Sequence, residues 1–74
     1  MMASMTTEIV FIVEQDPEGW FTAHAVGSSI ISQGDTVEQL RENVRDAVRC
    51  HFDDAGQRPK VIRLHYVRDE VLAA

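Results

Sequence analysis

Only one stretch of this chain carries helical periodicity, and that limits what it can fold into. Across Val37 to about Asp53, the residues Val37, Leu40, Val44, Ala47, Val48 and His51 recur at i, i+3, i+4 and i+7, with Phe52 bordering the stripe. Glu38, Glu42, Arg45, Asp46 and Arg49 take the wet face. Every other apolar run is short and rich in β-branched residues, the mark of strands. One helix covers one face of a sheet, so the other face is left open.

The strands read as follows. Glu8 to Glu14 holds the unbroken run Ile9, Val10, Phe11, Ile12 and Val13, apolar on both faces, as suits a central strand. Gln15-Asp16-Pro17-Glu18-Gly19 is a turn, with Pro17 presetting φ and Gly19 supplying a positive φ at the exit. Trp20 to Val26 returns as the second arm of a hairpin. Gly27-Ser28-Ser29 breaks the run, and Ile30 to Gln33 forms a short third strand. Gly34-Asp35 turns the chain into the helix. Thr36 with Gln39 makes a capping box, and Asp35 with Glu38 makes the same pattern one residue earlier. After the helix, Gly56 is placed to end it in a left-handed conformation and Pro59 blocks its continuation. Lys60 to Arg68 is the last strand.

A right-handed crossover through the helix places the fourth strand beside the first and parallel to it. The expected fold is α+β: β-β-β-α-β, one mixed four-stranded sheet of order 3-2-1-4, with one helix on one face. The expected core is Ile9, Phe11, Val13, Phe21, Ala23, Leu40, Val44, Val48, Ile62, Leu64 and Tyr66. The open face carries Val10, Ile12, Trp20, Thr22, His24, Arg63, His65 and Val67. Residues 1–7 are read as a disordered N-terminal extension and residues 8–74 as a single domain.

Composition enters through charge and size. The 74 residues include 7 Lys and Arg against 12 Asp and Glu, a net charge of −5. Without a visible basic cluster such a chain is a poor holder of nucleic acid, which needs cations to displace counterions, so no direct nucleic-acid binding is expected. A single cysteine, Cys50, excludes an internal disulfide and a cysteine zinc cluster. No apolar run reaches the ~20 residues of a membrane helix, and the N-terminus lacks a signal-peptide pattern; a cytoplasmic protein without membrane contact is expected. A domain this small buries only ~60% of its unfolded surface, which favours a homo-oligomer.

The order of elements, and Gly34-Asp35-Thr36 capping a helix that begins Val37-Glu38-Gln39-Leu40, resembles the N-terminal domain of HicB-type antitoxins. Ser32-Gln33-Gly34-Asp35-Thr36 carries most of the match, and the likeness covers residues 8 to about 67. The resemblance implies a partly degraded RNase H-like fold that neutralises a small RNA-cleaving toxin, and an antitoxin that dimerises or assembles further. Members of that family usually add a C-terminal DNA-binding segment. This chain stops after its fourth strand and is read as a stand-alone short member. Its Val26-Gly27-Ser28-Ser29-Ile30 also differs from the Leu-Pro-Gly-Cys type of sequence common before the third strand.

The candidate residues point to binding rather than catalysis. A residual metal-dependent nuclease would need about four carboxylates converging on Mg²⁺. Glu14, Asp16, Glu42 and Asp69 are the available acids, but Glu42 falls on the wet helix face. His24 and His65 share the open face without an evident third ligand, and are read as polar interface residues. His51 is expected at the core edge near the helix C-terminus, and Cys50 lies off the centre of the stripe. No catalytic residue, metal ligand or cofactor is therefore assigned. The expected partner or oligomer interface is Val10, Ile12, Trp20, Thr22, His24, His65 and Val67. Trp20 either anchors that interface or folds over the sheet edge to shield it. Glu14, Asp16 and Glu18 form an acidic surface suited to a small basic toxin. The alternative is a homo-oligomeric structural module that has no toxin.

Overall fold

The computed structural model describes residues 8–74, so the expected N-terminal extension lies outside the described residues. The apolar run from Ile9 to Val13 lies inside β1 (Glu8–Gln15), an interior strand of the sheet. It is followed by β2 (Phe21–Ala25), β3 (Ile31–Gly34), α1 (Val37–His51), a 3-10 turn at Ala55–Gln57 and β4 (Val61–Val67). The sheet order is β3-β2-β1-β4, as the crossover argument requires. β1 runs antiparallel to β2, with Ile12 opposite His24, and parallel to β4, with Ile12 beside His65.

The connection from β1 to β2 follows its turn chemistry. The Asp16 amide donates to the Trp20 carbonyl at 2.7 Å and the Gly19 amide to the Asp16 carbonyl at 2.8 Å. Gly19 takes φ +110°, which closes this short loop without a Cβ penalty. At the helix start the capping ambiguity resolves to Thr36. Its Oγ1 accepts from the Gln39 amide at 3.0 Å, and Gln39 Oε1 accepts from the Asp35 amide at 2.7 Å. Two otherwise orphaned donors are thereby satisfied.

The core gathers Ile9, Phe11, Val13, Ala23, Ala25, Ile30, Leu40, Val44 and Val48, with Phe21, Ala47, Phe52, Ile62 and Leu64 packed around it. Tyr66, expected inside, is 44% exposed. It stands near the end of an edge strand, and the closest approach of α1 to the sheet is at β3 and then β2. Ala25 and Ile30 are buried beyond the expected set. The helix ends at His51 rather than about Asp53, because Phe52 leaves helical geometry at φ −112°, ψ 78° and rests half-buried against the core. His51, expected at the core edge, is exposed at the last helical position, beyond Val48, the last buried residue of the stripe. Gly56 is not a left-handed cap. It sits in the 3-10 turn, where its amide donates to Asp54 Oδ1 at 3.0 Å, and Arg58 Nε donates to the Phe52 carbonyl beyond the helix end. The core contacts of α1 are reinforced by Asn43, whose Nδ2 donates to the Gln33 carbonyl at 2.7 Å.

Candidate functional site

The uncovered sheet face is a grid set by strand register. One row runs Ile31, His24, Ile12, His65; the next runs Gln33, Thr22, Glu14, Val67. Val10 lies beside Arg63 in the row before. Val10, Ile12 and Thr22 are half-buried, while His24, His65 and Val67 are exposed. The centre is therefore aliphatic, and the margins mix polar side chains with the exposed aliphatics Ile31 and Val67.

Trp20 stands apart from the grid. It falls just before β2, is 38% exposed, and lines a shallow cavity with Gln33, Gly34, Asp35, Gln39 and Asn43. That places it at the β3–α1 junction, against the end of the sheet. Of the three turn acids, Glu14 and Glu18 are exposed, and Asp16 is half-buried. Asp16 Oδ2 accepts from the Glu18 amide at 2.9 Å, so this carboxylate also holds the turn.

The register separates the two histidines. His24 and His65 flank Ile12 from opposite sides, roughly 10 Å apart at the backbone for two strand spacings. Among the described residues no three His, Cys, Asp or Glu side chains gather as a metal site would need. Glu14 and Asp69 do line a common hollow, together with Gln15, Pro17, Val67 and Arg68. Glu42 lies elsewhere, on the exposed face of α1 with Glu38, Arg41 and Arg45. Across the open face Arg63 Nε donates to Glu8 Oε2. This hydrogen bond, and then the charge of Glu8, hold the Arg63 guanidinium above its ordinary pKa.

Sequence reading finds no basic cluster, but the fold assembles one. A cavity of ≈ 460 Å³ between α1 and β4 is lined by Arg41, Arg45, Arg49, Arg58 and Lys60 over Val44, Val48, Pro59, Ile62 and Leu64. Five of the 7 basic residues thus border one groove in an acidic chain. The legible signal was Arg41, Arg45 and Arg49 at i, i+4 and i+8, which puts three cations along one side of the helix. Arg58 and Lys60 join them only because the loop returns beneath that side. Asp46 partly offsets the cluster, accepting from Arg49 at 2.9 Å.

A small α+β protein, with one helix on one face of a mixed sheet, is the class these features define. No protein-family model matches the chain, and no solved structure matches it. It is similar to a protein of Thermotoga maritima named UPF0150 protein, 41% identical over 66 residues, which span 89% of this chain and 91% of the relative. A UPF0150 protein of Archaeoglobus fulgidus is 47% identical over 53 residues, 72% of this chain and 77% of the relative. The chain belongs to the UPF0150 family. Among the described residues no helix is long and apolar enough to cross a membrane.

Proposed function

We propose that this protein is a cytoplasmic, non-catalytic binding module of the HicB antitoxin type, with a degraded RNase H-like domain that neutralises a small basic RNA-cleaving toxin. The observation that carries this reading is the open sheet face. A half-buried aliphatic centre of Val10 and Ile12 is bordered by Thr22, His24, His65 and Val67, with Glu14 at its margin and Asp16 and Glu18 in the adjoining turn. Apolar surface interleaved with polar side chains suits a protein interface. Acidic side chains at one end would stand in for RNA phosphates on the toxin, and a net charge of −5 would speed capture of a basic partner. On this reading the chain works as a homo-oligomer and binds no nucleic acid directly.

The test is co-purification with a small basic protein encoded next door, together with rescue of cells expressing that protein. Capture and rescue support the proposal. A chain that binds no such neighbour and rescues nothing defeats it. The second reading is a homo-oligomeric module without a toxin. It is favoured by the edge strand β4, where the exposed Val61, Tyr66 and Val67 offer a surface that a second copy would cover.

A further inference from the structure

We infer that the basic groove between α1 and β4 receives residues 69–72 of a second copy of this chain, whose β4 pairs antiparallel with the free edge of this one. The inference rests on the homo-oligomer reading above and does not require a toxin.

Three observations meet here. First, β4 is a seven-residue edge strand whose outer side pairs with no strand among the described residues. Such an edge is a template for another chain. Second, exposed aliphatic and aromatic side chains collect on β4 and just after it. Val61 is 52% exposed, Tyr66 44%, Val67 40%, Val71 92% and Leu72 78%. Third, the segment after the strand reads Asp69-Glu70-Val71-Leu72, two carboxylates followed by two aliphatics. The groove offers the complement, a cationic rim over an aliphatic floor.

Register brings these together. Antiparallel pairing of two β4 strands about Leu64 sets Val61 opposite Val67 on the open face and Ile62 opposite Tyr66 on the helix face. Each exposed residue then gains an apolar neighbour. The same pairing carries Asp69 and Glu70 of one copy past Pro59 and Arg58 of the other, at the mouth of the groove. Arg68 falls opposite Lys60, and both are exposed, where water and salt screen their like charges. A copy's own tail leaves from the far end of β4, about 20 Å from Val61 for a strand of this length, so the partner's tail is the better placed. RNA fits less well, because no aromatic ring lines the groove to stack a base.

The experiment is sedimentation equilibrium on the full chain and two charge-reversed forms. One form carries Arg41→Glu and Arg45→Glu; the other carries Asp69→Lys and Glu70→Lys. Circular dichroism checks that both fold. The wild type should dimerise, and each reversed form alone should dissociate about 10-fold or more readily. An equimolar mixture should restore the dimer, since each reversed tail then meets a complementary groove. A monomeric wild type overturns the inference and the homo-oligomer reading with it. A dimer indifferent to both reversals overturns the inference alone. A mixture that stays monomeric overturns it too, as does binding of fluorescein-labelled single-stranded RNA that is lost with Arg41 and Arg45.

Discussion

Gly34 lies so close beneath Leu40 that a Cβ built on it would stand 2.6 Å from the Leu40 amide nitrogen. The obstacle is helix backbone, which cannot swing aside as a side chain can, so β3 meets the first turn of α1 only through a residue without a side chain. Gly34→Ala should therefore cost about 2 kcal/mol or more, the overpacking range for a well-packed site. Urea unfolding followed by Trp20 fluorescence reads it directly, since Trp20 lines the same junction. Gly19 makes the contrast. Nothing lies within 4 Å of a Cβ there, but φ is +110°, so Gly19→Val should be costly while Gly19→Asn is better tolerated.

The helix cap predicts a sharp difference between neighbours. Thr36→Ala removes the acceptor for the Gln39 amide and should destabilise by about 1 kcal/mol. Asp35→Ala should cost less, because its side chain makes no cap and its backbone amide keeps the Gln39 contact. Thermal melts of the two variants side by side check the ordering.

Much of this architecture is legible in the residues. The strand order follows from one amphipathic helix placed between the third and fourth strands, and Phe11, Leu40, Val44 and Val48 are buried as their periodicity requires. What escapes is anything set by the lateral position of the helix. Tyr66 alternates with Ile62 and Leu64, but no pattern in the sequence says that α1 comes closest to β3 and then β2. The basic groove escapes for a related reason: Arg58 and Lys60 approach the helix only through the path of a loop. Trp20 escapes because the turn ends before strand alternation takes hold, so parity does not fix its side.

That lateral offset has a measurable result. Leu40→Ala, in a site with no exposure, should cost about 2–5 kcal/mol and leave little folded protein in a domain of this size. Tyr66→Ala should change the stability of the monomer far less, since the residue is 44% exposed. Chemical denaturation at low protein concentration separates the two.

The Arg63–Glu8 pair predicts a response to salt rather than to pH. The Arg63 guanidinium is held above its ordinary pKa, so its contribution is complete below the unfolded value and fades only as pH climbs through the folded one, in strong alkali. The melting temperature should therefore show no step from this pair between about pH 6 and pH 9. Because the arginine is 64% exposed, the pair should weaken as sodium chloride rises from about 0.05 to 0.5 M. Glu8→Gln should flatten that salt dependence.

The parallel pairing of β1 with β4 joins Glu8 to Val61, more than fifty residues apart. A growing chain makes β1 first and its outer neighbour last. Hairpin and helix can form from local contacts, but the sheet is incomplete until the final strand closes a long loop. The order of synthesis thus leaves the most apolar strand with one bare flank for most of the chain's emergence. Speed of completion, rather than final stability, becomes the quantity on which escape from aggregation depends.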